Sequence, residues 1–264
     1  MQHCNAKKHS RQKKVFGELL QIMDDLRSRC PWDKKQTLES LRHLTIEETY
    51  ELADAILENN LEEIKKELGD LLLHIVFYAK IGEEKNAFDI GQVIESLNKK
   101  LINRHPHIYG DTQVASDEEV KKNWEQIKLK EGKKSVLEGV PKSLPALVKA
   151  NRIQEKVRGV GFDWDEKSQI WGKVEEELQE FKQIMLNGQD KKEMEAEFGD
   201  LLFSMINAAR LYGIDPENAL ERTNKKFIKR FNYLENKTIK QGRSLKDMNL
   251  DQMNLIWEEA KNFD

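Results

Sequence analysis

Residues 47–79 read EETYELADAILENNLEEIKKELGDLLLHIVFYA, and this stretch decides the fold. On both sides of the Asn-Asn pair at 59–60, apolar residues recur at intervals of three and four, as at Leu61, Ile64 and Leu68. That spacing is typical of an amphipathic helix rather than of a strand. A connection this short makes the two helices antiparallel neighbours. The sequence therefore predicts a helical hairpin.

Acidic residues occupy matched positions on the two helices of this hairpin. Glu48 and Glu51 are three residues apart, as are Glu67 and Asp70, so each pair shares one helix face. Four carboxylates then converge between the helices. Two of them about 4–5 Å apart repel by roughly 4 kcal/mol at an effective dielectric constant of 20. A divalent cation reverses that sign, and an all-oxygen ligand set favours Mg²⁺, with Mn²⁺ as a substitute.

The same pattern recurs about 130 residues later, as expected for an internal repeat. The second copy carries the acidic residues Glu176, Glu177, Glu180, Glu197 and Asp200. A single EExxE motif in a chain with 34% charged residues usually marks a solvated helix face. Its recurrence together with the ExxD motif instead favours two metal sites. It also predicts a tandem duplication of one helical unit.

Glycine stands beside the aspartate in both copies, at Gly69 and Gly199. Glycine within a helix costs about 1 kcal/mol relative to alanine. We therefore expect both glycines to permit a close approach of another helix.

The rest of the chain predicts an all-α protein. Its five prolines all fall between helical patterns, and no segment alternates with period two. The predicted helices are 11–29, 37–58, 61–82, 88–104, 116–131, 145–157, 167–187, 190–212, 216–241 and 249–262. The predicted domains are a basic flexible tail at 1–14, an N-terminal domain at 15–131, a linker with the start of the next helix at 132–150, and a C-terminal domain at 151–264.

Composition excludes several classes of protein. The 47 acidic residues nearly balance 44 Lys and Arg residues, for a net charge of −3 over 264 residues, so we expect no nucleic-acid partner. No apolar run approaches the roughly 20 residues of a membrane-spanning helix, and the first residues lack the apolar core of a secretory signal. The two cysteines, Cys4 and Cys30, build no disulfide framework. Together these features predict a cytoplasmic protein without a membrane partner.

Basic and aromatic residues also recur in both copies and suit a phosphate-bearing ligand. Lys100 and Arg104, like Lys226 and Arg230, are four residues apart on one helix face. Such pairs supply donors and charge to phosphate oxygens, or they balance neighbouring acidic faces. Trp124 and Trp257 can stack on a base or fill a core. The sequence contains no P-loop and no Rossmann glycine motif.

Several longer motifs resemble one protein family. They include Cys30-Pro-Trp-Asp33, the acidic motifs of the first hairpin, Arg104-His-Pro-His107, and the segments 135–141, 144–147 and 160–164. From about residue 15 to the C-terminus, the chain resembles the MazG family of nucleoside triphosphate pyrophosphohydrolases in its two-domain bacterial form. The resemblance implies four-helix-bundle assemblies, a homodimer, and Mg²⁺-dependent hydrolysis of the α–β bond of a nucleoside triphosphate.

The resemblance also implies roles for individual residues. The implied Mg²⁺ ligands are Glu177, Glu180, Glu197 and Asp200, with Glu48, Glu51, Glu67 and Asp70 in the first half. The implied nucleotide contacts are Lys173, Lys226, Arg230, Trp257 and Lys261, with Lys100, Arg104, Trp124 and Lys128 in the first half. Glu176 or Glu177 would orient or deprotonate the attacking water, and Lys226 and Arg230 would stabilise the departing pyrophosphate.

One departure from the duplicated pattern separates the two halves. Leu44 occupies the position that matches Lys173. The Asp200 face also carries the polar residues Ser204 and Asn207, where the Asp70 face carries His74 and Phe77. Additional basic residues surround the second basic pair, at Arg222, Lys225 and Lys229. We therefore expect the second half to be the main catalytic unit. Two alternatives stay open on the sequence: a pyrophosphatase restricted to dUTP or to a phosphoribosyl nucleotide, and a helical interaction module without enzymatic activity.

Overall fold

A computed structural model describes residues 2–116, 119–120, 123–124, 127, 135–188, 190–240 and 242–263, with side chains from His9 onward. Across these ranges the chain forms helices, 3₁₀ turns and loops, without a strand, which confirms the all-α prediction. The chain divides into two compact units, Met1–Gln113 and Val114–Asp264. The predicted domain limits at 15–131 and 151–264 stay predictions.

The first unit is built around a helical hairpin. Its helices are α1 (Gln2–Arg29), α2 (Leu38–Leu57), α3 (Leu61–Glu84), α4 (Ile90–Arg104) and the short α5 (Pro106–Tyr109). Thr37 caps α2 by accepting a hydrogen bond from the Ser40 amide at 3.1 Å, and Asn60 caps α3. The buried core comprises Met23, Leu41, Val76, Phe77 and Ile81. The hairpin of α2 and α3 matches the prediction from residues 47–79.

Two local features of the first unit differ from the predicted elements, and one predicted helix after it is largely untested. Helix α1 begins at Gln2 rather than at residue 11, so it includes the segment predicted as a basic tail. A short helix begins at Pro106, where proline suits the first turn because it lacks the amide hydrogen. The predicted helix 116–131 lies largely outside the described residues.

The second unit repeats the hairpin. Its helices are α6 (Ala146–Arg158), α7 (Ile170–Asn187), α8 (Lys191–Leu211), α9 (Pro216–Lys240) and α10 (Leu250–Ala260). Helices α7 and α8 form the most extensive helix contact of the unit. The buried core of the hairpin comprises Ile170, Val174, Ala208 and Leu211. A second apolar cluster, between α9 and α10, comprises Leu234, Met248 and Ile256.

A buried lysine fastens a loop to α6. The Lys156 side chain is only 3% exposed, and its Nζ donates a hydrogen bond to the Val136 carbonyl oxygen at 3.0 Å. A buried ammonium group needs such acceptors, because burial without them costs several kcal/mol. The segment around Val136 is therefore held against α6 within the second unit.

An exposed apolar stripe follows the second helix of each hairpin. On α3 it consists of Leu68, Leu72 and Ile75, and on α8 of Phe198, Leu202 and Met205. The spacing of four and three residues is the same in both stripes. No helix in the described parts of the chain is both long enough and apolar enough to cross a membrane.

Candidate metal and nucleotide site

Three carboxylates of the first unit converge between α2 and α3. Glu48, Glu67 and Asp70 each place an oxygen within 4.8 Å of the others. Glu67 is 2% exposed, and its Oε2 has no hydrogen-bond partner among the described residues. A buried, unpartnered carboxylate oxygen is unfavourable unless a cation neutralises it. The donor set therefore fits a hard divalent cation.

The surroundings of Glu48 in this carboxylate group make its ionised form less favourable. Burial raises the pKa of Glu48, and the charges of Asp70 and Glu51 and contacts with Glu67 raise it further. Lys66 counters part of the charge by donating to Glu67 Oε1 at 2.8 Å. Glu51 is exposed and is not a member of the three-carboxylate group, although its charge acts on Glu48.

The second unit repeats this arrangement between α7 and α8. Glu177, Glu197 and Asp200 each place an oxygen within 4.8 Å of the others. Burial raises the pKa of Glu197, and the neighbouring charges, with Glu180 the largest among them, add to the shift. Glu180 itself is exposed and lies outside the three-carboxylate group. In each unit, three of the four predicted acidic residues therefore come together.

A lysine on α7 neutralises part of the second group. Lys173 Nζ lies 2.6 Å from a carboxylate oxygen of Glu177 and 3.0 Å from one of Glu176. These two hydrogen bonds, with Glu177 as the stronger partner, raise the pKa of Lys173 well above its ordinary value. Lysine thus serves both units as the counter-ion, but from different helices, since Lys66 lies on α3.

The expectation for the two glycines was wrong within each unit. A Cβ atom added at Gly69 or at Gly199 would meet nothing within 4 Å apart from the helix itself. Both glycines are exposed. They do not permit the contact between the two helices of the hairpin.

The predicted basic and aromatic contacts lie on other helices. Arg230 of α9 places its Cζ 5.8 Å from the centroid of the Trp257 ring on α10, and Lys226 is exposed on α9. Lys261 Nζ donates to Glu258 at 2.6 Å. In the first unit, Lys100 is exposed on α4 and Arg104 is half-buried. Trp124, predicted as a contact of the first half, is half-buried and lies in the second unit. Lys128 lies outside the described residues.

An ionic contact that no sequence motif indicates holds the loop after α6. Arg210 of α8, 6% exposed in its side chain, donates to both carboxylate oxygens of Asp163, with its Nη1 at 3.1 Å from Oδ2. Its Nε and Nη2 also donate to Asn207 Oδ1 at 3.0 and 2.7 Å. Asp163 belongs to the quoted motif at 160–164, but its partner is 47 residues further along the chain. The pair fixes the loop on α8.

Replacement of Asp163 tests this contact. We expect Asp163→Asn to lower the free energy of unfolding by about 2 kcal/mol, somewhat below the cost of breaking a fully buried pair, because Asp163 is 18% exposed. Burial raises the pKa of Asp163, but hydrogen bonds from Arg210 and the Trp164 amide and the charges of Arg210 and Arg158 outweigh it, and the pKa is lowered. The stabilisation is therefore complete above about pH 4 and is lost as the pH falls through the folded-state pKa.

Urea unfolding followed by circular dichroism at pH 7 and pH 3 measures this difference. Asp165→Asn, at an exposed position in the same loop, is the matched control. A stability difference that persists unchanged at pH 3 would contradict the ionic origin of the effect.

Comparisons with known proteins place the chain among relatives. The MazG nucleotide pyrophosphohydrolase domain matches residues 36–109 and 166–234. The nucleoside triphosphate pyrophosphohydrolase/pyrophosphatase MazG of Thermotoga maritima is 46% identical over 255 residues, which cover 95% of this chain and 97% of the relative. The nucleoside triphosphate pyrophosphohydrolase of Escherichia coli K12 is 39% identical over 257 residues, which cover 93% and 97%. An uncharacterized Bacillus subtilis protein, YabN, is 45% identical over 251 residues, which cover 93% of this chain and 51% of the relative.

Proposed function

The chain belongs to the MazG family of nucleotide pyrophosphohydrolases, and on that premise we propose that it hydrolyses nucleoside triphosphates to the monophosphate and pyrophosphate. The observation that carries this proposal is the pair of three-carboxylate groups, which lie at matched positions within the two matched domains. Such groups suit a substrate that arrives with divalent cations on its phosphates. The enzyme is then a hydrolase that acts on an acid anhydride.

The carboxylates are the proposed cation ligands. Glu177, Glu197 and Asp200 hold the cation in the second unit, and Glu48, Glu67 and Asp70 offer the equivalent set in the first. Glu180 and Glu51 are close enough to influence these groups electrostatically and complete each set as outer members. Mg²⁺, with Mn²⁺ as a substitute, would supply positive charge against the phosphate oxygens.

Residues around the carboxylate group of the second unit are the proposed general base and the proposed ligands of the leaving group. Glu176, exposed beside the carboxylate group, accepts the proton as a water oxygen forms its bond to the α-phosphorus. The bond from the α-phosphorus to the bridging oxygen breaks, and the electron pair leaves with pyrophosphate. Lys226 and Arg230 bind that leaving group, and Trp257, which already packs with Arg230, borders the nucleotide.

The second unit is the proposed main catalytic unit. Lys173 contacts two acidic residues of this unit, and its ammonium group can move from them to a phosphate oxygen. Leu44 occupies the matching position in the first unit. The first unit retains a complete carboxylate group, so it is a second cation site with weaker turnover.

A homodimer is the proposed assembly. The apolar stripes on α3 and α8 leave half-exposed Leu, Ile, Phe and Met side chains on one face of each hairpin. Burial of such a face against a second copy stabilises the association by roughly 25 cal/mol per Å² of apolar surface. Charged substitutions in both stripes, such as Leu72→Glu with Leu202→Glu, would then produce monomers in sedimentation.

The activity itself is tested by product analysis. The protein is incubated with each of the common NTPs and dNTPs in excess Mg²⁺, and the products are separated by anion exchange. We expect equal amounts of monophosphate and pyrophosphate and no reaction in EDTA. Diphosphate with inorganic phosphate, or no product from any nucleotide, would overturn the proposal. The same panel separates a broad from a narrow substrate range.

A further inference from the structure

Two side-chain amides flank one turn of α8, beyond the carboxylate group. The first belongs to Gln154 of α6, which is 3% exposed and donates from Nε2 to the Phe203 carbonyl oxygen at 2.8 Å. A carbonyl oxygen only accepts, so this contact fixes the amide orientation. Gln154 Oε1 then faces the other way, and it is buried without a hydrogen-bond donor among the described residues.

The second amide belongs to Asn207. Its Oδ1 accepts two hydrogen bonds from Arg210, and a guanidinium only donates, so this orientation is fixed as well. Asn207 Nδ2 therefore points away from Arg210, and no contact from it to a described acceptor is recorded. In an α-helix the amide of residue 207 bonds to the carbonyl of residue 203. The carbonyl that binds Gln154 thus belongs to the turn that carries Asn207.

A nucleotide held at the carboxylates and extended along α8 would bring its base to this turn. Asp200, Ser204 and Asn207 recur at intervals of four and three and share one face of α8. Asn207 is about 10 Å from Asp200 along the helix axis, at 1.5 Å per residue. A triphosphate held at the carboxylates extends its sugar and base away from them by a comparable length.

We propose that Gln154 and Asn207 read the edge of the base and select bases that present an N–H donor beside a carbonyl oxygen. Uracil, thymine, guanine and hypoxanthine have this edge: the ring N–H donates to Gln154 Oε1, and the carbonyl accepts from Asn207 Nδ2. Cytosine and adenine carry the reverse pattern on the same two atoms, so the enclosed Gln154 oxygen would face a ring-nitrogen lone pair. This inference rests on the proposed function.

The first unit lacks this pair. The positions that match Ser204, Asn207 and Arg210 are His74, Phe77 and Lys80. Phe77 is part of the buried core of its unit and has no hydrogen-bonding group to offer a base. Base selection is thus a property of the second unit, which is the unit with the Lys173 counter-ion.

Pairs of nucleotides that differ only at this edge test the inference. We expect kcat/KM for pyrophosphate release to favour UTP over CTP and ITP over ATP at least tenfold, because a site built for a hydrogen bond rejects analogues that cannot make it. Calorimetry with nonhydrolysable UTP and CTP analogues should give the same order of Kd, whether or not hydrolysis is observed.

The decisive variant is Asn207→Asp. It keeps an acceptor for Arg210 and converts the donor into an acceptor, so the UTP:CTP ratio of kcat/KM should fall at least tenfold. Asn218→Asp adds the same charge at an exposed position of α9 and should leave the ratio unchanged. Equal use of UTP and CTP by the original protein, or an unchanged ratio in Asn207→Asp, would overturn base reading. Absence of pyrophosphate release from every nucleotide would instead overturn the proposed function, and the calorimetric order would then still decide on base reading.

Discussion

Glu197→Gln should reduce kcat for nucleoside triphosphate hydrolysis by about 10² to 10³-fold, the range seen when one group that stabilises transition-state charge is removed. The change keeps the size of the side chain and removes one of the three carboxylates that converge between α7 and α8. It also removes a charge that is unfavourable at this position, since burial and then the neighbouring carboxylates raise the pKa of Glu197. The variant should therefore fold at least as well as the original protein, and the loss should be in kcat rather than in the amount of folded enzyme.

The matched variant in the first unit is Glu67→Gln. Its carboxylate has the same place in the first group. We expect less than about a threefold loss in kcat, because the first unit has Leu44 in place of Lys173 and contributes little turnover. At 1.36 kcal/mol for each tenfold step, this loss corresponds to less than about 0.7 kcal/mol of barrier. Steady-state kinetics with the temperature of unfolding as a control measures both. Equal losses in the two variants would contradict the assignment of the second unit as the main catalytic unit. The pair Glu180→Ala and Glu51→Ala makes the same comparison at the outer members.

Lys173→Met should change metal binding and catalysis in opposite directions. Without nucleotide, Lys173 competes with a cation for Glu177, at 2.6 Å. Removing a half-exposed ion pair of this kind should tighten Mg²⁺ binding by about two- to fivefold, which corresponds to less than 1 kcal/mol. With nucleotide, the lysine charge is needed on the phosphates, and kcat/KM should fall by about 10²-fold.

Calorimetric titration with Mg²⁺ alone and kinetics with saturating Mg²⁺ separate the two effects. Lys66→Met removes the equivalent counter-ion from Glu67 in the first unit and is the control, with little expected effect on kcat/KM. If Lys173→Met weakened both Mg²⁺ binding and catalysis, the lysine would have a structural role in the group rather than that of an exchangeable charge.

The helical hairpins and their acidic groups follow from local rules. An interval of three residues becomes a shared helix face, and a short Asn-Asn connection makes neighbours of two helices, so Glu48, Glu67 and Asp70 could be placed together from spacing alone. Those rules do not decide which member stays at the edge. Glu51 and Glu180 lie one turn from the centre of each group, where the side chain faces solvent.

Features that depend on tertiary partners were not predictable. The Arg210 side chain binds Asp163 across 47 residues, and no periodic pattern specifies such a partner. Gln154 reads as an ordinary polar residue of α6, yet it is buried against a carbonyl of α8. The prediction of a close helix contact at Gly69 and Gly199 was wrong within each unit. Helix propensity indicates that glycine is costly in a helix, but it does not indicate which contact, if any, requires it.

The buried Lys156 allows local opening of the second unit to be measured by chemical labelling. An amine that is 3% exposed and bound to the Val136 carbonyl can react with an acylating reagent only when the segment opens. Its labelling rate, read by peptide mass spectrometry against that of the exposed Lys167, would therefore report how often residues near Val136 detach from α6. Slower labelling in the presence of nucleotide would show that nucleotide binding makes this opening less frequent.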